Sequence, residues 1–246
     1  MRRQLGYLGR NLRTIRKLGN IPALTSQQHH QLLVISELYR QQYELYNEKK
    51  WSISDRIVSI SQPHIRPIVR GKAGKKVEFG AKVSISLVDG FAFVDRASFD
   101  SYNESGDLQE QAEAYKKRFG SYPKRILADQ IYRNRENRRF CRENNIQLSG
   151  KPLGRPPKGG HPPEEKERWR QDECERVLVE GKFGQVKRRF SLDRIMAKLA
   201  HTARTVISLG FLIANLEKIL LFVLLWIEFF KEYLQPDDSV IIRQAS

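Results

Sequence analysis

Residues 124–144 read KRILADQIYRNRENRRFCREN. Lys124 to Ala128 is a short apolar run suited to a strand, and it ends on Asp129. Asn134 to Asn144 predicts a helix crowded with arginine. A strand that gives way to a helix is half of an α/β unit, and the sequence on both sides continues the pattern. Upstream, Val77, Phe79, Ala81, Val83 and Ile85 recur with a period of two, which predicts a strand. Asp89-Gly90 is a strong hairpin signal, with Phe91 and Phe93 on the return strand. Residues 108–118 suit an exposed helix. Downstream, SGKPLGRPPKGGHPPEE (149–165) predicts a long loop. Helices then run from about Glu164 to Phe190 and from about Leu192 to Tyr233, the second broken near Gly210.

The N-terminal region differs. Leu5, Leu8, Leu12 and Ile15 are spaced for a helix over residues 2–18, and Arg3, Arg10, Arg13, Arg16 and Lys17 fill the remaining positions. Gly19 and Pro22 mark its end, and Ser26 is placed to cap a second helix. No acid occurs before Glu37. The unit reads either as a solvated charged surface or as a phosphate-contacting one. Residues 62–76 (QPHIRPIVRGKAGKK) are rich in Pro, Gly and basic groups and predict a loop.

Charge narrows the partners. The chain has 246 residues with 44 Lys and Arg against 28 Asp and Glu, a net charge of +16, so it attracts a polyanion: nucleic acid or an anionic membrane face. Hydrophobic residues make up 40%, enough for a packed core and too many for a disordered tail. Cys141 and Cys174 are the only cysteines, which excludes a disulfide framework and suits a reducing compartment. The start, MRRQL, is basic without the apolar stretch of a signal peptide. Ile219–Ile227 (ILLFVLLWI) is wholly apolar but is bounded by Glu217, Lys218 and Glu228, short of the roughly 20 residues of a spanning helix. A buried or partner-covered helix is the expectation, with membrane association as the competitor.

Two acids stand out. Asp129 ends a strand, where α/β sheets place their sites; an Asp there equally serves as a helix cap or turn residue. Arg176, Glu180, Phe183 and Lys187 fall on one helical stripe. Such a row is usually a salt-bridged surface. Gly181 and Gly184, however, each cost about 1 kcal/mol in a helix interior, which points to a close approach by a helix or a nucleic-acid backbone.

Arg176, Glu180 and Lys187 also match the arginine, glutamate and lysine of the Y-R-E-K signature of insertion-sequence transposases. VEGKFGQVKRRFSLDRIMAKL (179–199) resembles the third catalytic segment of the IS-five-like DDE transposases, and ILADQIYRNRENRRFCRENNI (126–146) the second. RPIVRGKAGKKVEFGAKVSISLVDGFAFVD (66–95), FDSYNES (99–105) and LSGKPLGRPPK (148–158) resemble the same family. The resemblance implies an α/β, ribonuclease-H-like fold. It also implies three acids binding divalent metal, Mg2+ or Mn2+, to cut and rejoin DNA at element ends. Asp129 matches the second acid and Glu180 the third, as catalytic and metal-binding residues. Arg176, Lys187, Arg188, Arg189 and Arg135 are the expected DNA contacts.

The chain departs from the family in two places. Glu173 stands where the signature has tyrosine. No Asp precedes Asp55, while Asp89 and Asp95 fall in a hairpin turn and its return strand, the wrong context for the first acid. The resemblance therefore implies a catalytic-domain portion lacking its N-terminal part and first strand. Residues 1–61 are then a basic helical insertion and residues 62–246 the remainder of the catalytic domain. Expected partners are transposon-end and target DNA, an N-terminal transposase part from an upstream reading frame, and a second copy of the chain. The expected location is the cytoplasm, at the nucleoid. Three readings compete: a transposase inactive on its own, a non-catalytic DNA-binding regulator, and a membrane-surface protein.

Overall fold

A computed structural model describes residues 1–18, 24–69, 77–152, 154, 157 and 159–234. Gly19, Pro22, residues 70–76 and part of the 149–165 loop lie outside the described residues.

Helix α1 (Arg2–Lys17) packs on α2 (Ser26–Asn47) through Leu5, Gly9 and Leu12. Gly9 is needed there, since an added Cβ would lie 2.7 Å from the Tyr39 hydroxyl oxygen. Thr25, not Ser26, caps α2. Its hydroxyl accepts from the Gln28 amide N–H, and Gln28 Oε1 accepts from the Thr25 N–H, so two otherwise orphaned donors are satisfied. Gln41, buried on α2, donates to the Asp55 carbonyl and accepts from the Ile57 N–H. Gln62 donates to the carbonyls of Ile195 and Ala197, both at 2.9 Å, tying the helical pair to the distant C-terminal half.

Part of the expected 62–76 loop is strand. β1 (Arg66–Val69) pairs antiparallel with β2 (Val77–Gly80). Pro67 is tolerated because the pair stands alone, leaving an edge that needs no donor; Ile68 is buried and gives the strand its anchor. The single strand expected from Val77 divides at Gly80, whose φ of 143° turns the chain. β3 (Lys82–Val88) and β4 (Phe91–Ser98) form the predicted hairpin, with a bulge between Ser84 and Ile85. Asp89 (φ 49°) and Gly90 (φ 78°) both take the left-handed conformation that a tight two-residue turn requires.

Helix α3 (Asp107–Phe119) follows. Then β5 (Arg125–Ile126), α4 (Arg135–Glu143) and β6 (Gln147–Leu148) make a compact parallel β-α-β unit. α5 (Pro163–Arg189) and α6 (Ala200–Leu234) complete the chain. α6 starts at Ala200, eight residues after Leu192, and runs unbroken through Gly210. The glycine accommodates the Leu192 side chain, whose Cδ1 would be 2.8 Å from an added Cβ; it is a packing notch and not a break.

Two cores form. Ile85, Ala92, Val186, Ile207, Phe211 and Ala214 join the β3–β4 hairpin to α5 and α6. Asn215 strengthens this join by accepting from the Ala92 N–H at 2.9 Å and donating to the Ala92 carbonyl at 2.7 Å. Leu108, Ala112, Ala128, Cys141 and Ile146 form the second core, between α3 and the β-α-β unit. The architecture is mixed α/β, but among the described residues it consists of three separate two-stranded sheets. No described strand joins the β3–β4 hairpin to the β5–β6 pair.

Candidate active site

Asp129 lies three residues beyond β5, in extended conformation, and is exposed. Its Oδ1 accepts from the Gln130 N–H at 2.7 Å, capping the short 3-10 turn Gln130–Tyr132. The capping and site readings of Asp129 are thus compatible: one carboxylate oxygen is engaged locally, and the group is open to solvent.

Glu180 projects from the middle of α5 and is 68% exposed. Arg176, one turn earlier, is mostly covered. Its Nη1 donates to Glu180 at 3.3 Å and its Nε to Glu173 at 2.9 Å. The Arg176 guanidinium is held above its ordinary value, first by the hydrogen bond to Glu173 and further by the carboxylates of Asp129 and Glu180. Glu180 is thus in direct contact with Arg176, whereas Asp129 acts on it only as a more distant charge. The Glu173 carboxyl is pushed below its usual range by Arg176 and then by Arg133. Where the signature has tyrosine, this chain has an anchor for two arginines.

Ionic clasps set the relation of β5 to α5. Arg125 on β5 pairs with Asp172 at 3.0 Å and Glu175 at 2.6 Å. Asp172 is 4% exposed, so this pair is desolvated and structural. Arg133 donates twice to the Ala128 carbonyl, at 3.0 and 2.7 Å, and pairs with Glu173 at 3.5 Å. It fixes the residue before Asp129 to the helix that carries Glu180. Arg138 donates to the carbonyls of Arg133 and Lys151, and burial, then Arg133, lowers its pKa. Arg133 and Arg138 thus serve as donors to backbone carbonyls that would otherwise need partners.

Arg135 opens α4 and is exposed. Lys187 and Arg188 are exposed in the last turn of α5, while Arg189 is ion-paired with Glu217 of α6. The stripe is not uniformly solvated. Phe183 turns into the core and meets Phe211 edge-on at 5.6 Å, leaving Arg176 and Glu180 at the core's margin. Tyr132 was not singled out by its sequence context. Burial, then Glu104, with smaller contributions from Asp107 and Asp129, pushes its phenol up to about 12, so it remains a hydrogen-bond donor three residues from Asp129.

This mixed α/β architecture is consistent with the class that comparison suggests. Residues 126–217, from β5 into α6, match the family described as transposase DDE domain. The match supports a DDE transposase, and the family implies a DNA substrate and use of a divalent metal. No curated protein and no solved structure matches the chain.

Proposed function

We propose that the chain is the catalytic portion of an insertion-sequence transposase of the IS-five-like kind, built on a ribonuclease-H-like plan. It acts on phosphodiester bonds at element ends. The observation that carries this reading is the match of residues 126–217, which hold both Asp129 and Glu180, to the transposase DDE domain.

The donor set consists of hard carboxylate oxygens, which suit Mg2+ or Mn2+. Arg176 already pairs with Glu180, so an ion held there would share or displace that counter-charge. Asp129 and Glu180 are the residues that would hold the ion. When bound, a divalent ion polarises phosphate oxygens and the attacking hydroxyl. Among the described residues, no group of three His, Cys, Asp or Glu is placed to hold a metal. The pair suits one loosely held ion, and a two-metal site needs a further acid.

The chain's own residues have separable tasks. Glu180 and Asp129 supply negative charge at the reacting end. Arg176 positions Glu180 through their hydrogen bond. Lys187, Arg188, Arg189 and Arg135 hold the DNA backbone without reading sequence. In this reading the first aspartate comes from another segment, and an upstream-encoded transposase part is the natural source. Residues 1–61 form a basic region beside the catalytic remainder.

Purified chain with Mg2+ or Mn2+ and a nicked-circle substrate is expected to give no strand transfer. Metal-dependent nicking that disappears in Glu180→Gln would show a complete site and refute the divided one. Mn2+ titration, read by electron paramagnetic resonance, is expected to detect weak binding that both Asp129→Asn and Glu180→Gln abolish. Binding unchanged in both variants would favour the second reading, a DNA-binding regulator that competes for element ends. That no three such groups are placed to hold a metal among the described residues is what recommends that alternative.

A further inference from the structure

A half-covered group of cations gathers on Phe99, the residue after β4, which is 5% exposed. The His64 ring meets Phe99 edge-on at 4.4 Å, and the Arg204 guanidinium lies over the same ring at 6.0 Å. His64 comes two residues before β1, and Arg204 stands near the start of α6. Burial, then the charges of Arg66 and Arg204, lowers the His64 pKa, so both guanidiniums act on the ring. Gln62 donates to the carbonyls of Ile195 and Ala197, which brings the segment before α6 alongside.

Acceptors are scarce there. Arg66 donates to the Pro63 carbonyl at 2.6 Å and the Ile65 carbonyl at 3.3 Å. It also lies 3.5 Å from Asp55, whose carboxylate is 81% exposed. Among the described residues that is the one ion pair of the cluster, and His64 and Arg204 have none. The Nε atoms of Arg56 and Arg66 and the Nε2 of His64 are shielded from solvent without a hydrogen-bond partner among the described residues. Shielded polar groups without partners are costly, and charged ones most of all. The cations of α1 are different, because each is open to water. An anion beside the Phe99 cluster would offset a cost that water does not.

We propose that this cluster is a phosphate site, in which Arg204 makes the contact and Arg66 and His64 supply charge behind it. Arg204 is exposed, and its guanidinium has no acceptor among the described residues. A guanidinium presents paired donors that match two phosphate oxygens. The stretch from Lys187 to Arg204 holds Arg194 and Lys198, both exposed, and Asp193 as its single acid. A backbone held by the end of α5 thus meets further cations along the chain toward Arg204. The inference rests on the reading of DNA as the partner, but on neither candidate acid nor a metal.

The site carries its own reporter. The charges acting on His64 are Arg66, from β1, and Arg204, from α6, while Phe99 against its ring is neutral. Asp55 is engaged by Arg66. A phosphate at Arg204 therefore favours the imidazolium and raises the His64 pKa. Linkage makes the effect reciprocal, so affinity for the phosphate rises as pH falls and His64 takes up its proton.

The test follows the His64 ring of the full chain by proton NMR, with His64→Gln assigning its signal among the five histidines. It is titrated from pH 8 to 5 alone, with a saturating random-sequence duplex, and with inorganic phosphate. The duplex is expected to raise the His64 pKa so that its proton affinity grows about tenfold, which is one pKa unit. Arg204→Ala, at an exposed position, should abolish most of that rise, and Arg204→Lys should retain part of it. Lys187→Ala with Arg188→Ala should leave the rise intact once duplex is saturating. A duplex that binds without moving His64 overturns the inference and leaves DNA as the partner of other surfaces. A rise that Arg204→Ala leaves whole overturns it as well, and so does the absence of a rise with either ligand. A rise with inorganic phosphate in a chain that binds no duplex would uphold the site and refute DNA as its source of phosphate.

Discussion

Arg133 is the clearest case of a residue whose chemistry differs from its sequence context. It lies in an arginine-rich run, yet its side chain is 18% exposed and spans the Ala128 carbonyl and Glu173. Removing it leaves a buried carbonyl without donors. Hydrogen bonds to charged groups contribute about 1.5–3 kcal/mol. Arg133→Ala is therefore expected to lose about 2–3 kcal/mol in urea denaturation, while Arg135→Ala, an exposed position, changes stability by less than about 0.5 kcal/mol. Equal effects would show that Arg133 is not a clasp. His64 is a second residue with a definite expectation. It stacks edge-on against Phe99 at 4.4 Å, and its Nε2 is buried without a hydrogen-bond partner among the described residues. Burial, then Arg66 and Arg204, lowers its pKa from 6.5. The folded protein thus binds this proton less readily than the unfolded chain. Its stabilising contribution is present above pH 6.5 and is lost as pH falls from there through the lowered value. Thermal unfolding scanned from pH 7.5 to 5 should show a declining midpoint, and His64→Gln should flatten that decline.

At the scale of elements, helix α1 offers a controlled comparison. Gly6 and Gly9 are one turn apart, but only Gly9 meets a neighbour, the Tyr39 ring. Gly6→Ala is expected to raise stability by about 0.5–1 kcal/mol through helix propensity. Gly9→Ala is expected to lower it by about 1–3 kcal/mol, because the added methyl overpacks the α1–α2 contact. Chemical denaturation distinguishes the two, and a gain in both would mean that α1 does not pack on α2. The same contrast explains what was legible in the sequence. Helices α3 and α4 and the hairpin at Asp89-Gly90 were readable because their causes are local. β1 was hidden because Pro67 and its basic neighbours read as loop, while the cause of the strand, burial of Ile68 and pairing with β2, lies across the chain. Gly210 suggested a break because its partner, Leu192, is invisible to local spacing. Within the candidate site, Asp129 and Glu180 were recognisable from the segments around them. The clasps between Arg125 and Asp172, 47 residues apart, and between Arg133 and Glu173 leave no periodic trace.

At the scale of the whole molecule, the charge of +16 is distributed unevenly. α1 carries six basic residues and no acid. Its last turn and that of α5 each end in consecutive cations, Arg16-Lys17 and Lys187-Arg188-Arg189. Acids on α2 and the first half of α5 are largely engaged by nearby arginines, as in the pairs of Arg40 with Glu37 and Arg170 with Glu167. Among the described residues, the α1 cations and Lys187 and Arg188 of α5 are exposed parts of the surplus, while Arg189 is matched by Glu217. A polyanion bound there gains mainly by releasing counterions, at a slope in log affinity against log salt of about −0.9 for each phosphate neutralised. Affinity for a random-sequence duplex, measured by fluorescence anisotropy, should fall by about 1,000-fold or more between 50 and 200 mM salt if six or more phosphates are met. Lys187→Ala combined with Arg188→Ala should weaken binding equally for all sequences and flatten the slope by about 2. Glu180→Gln should leave the slope nearly unchanged, since that carboxylate is already matched by Arg176. A slope near zero would remove DNA as the partner of this surface. A steep slope that the double variant leaves intact would move the DNA away from the end of α5, toward another basic surface such as α1.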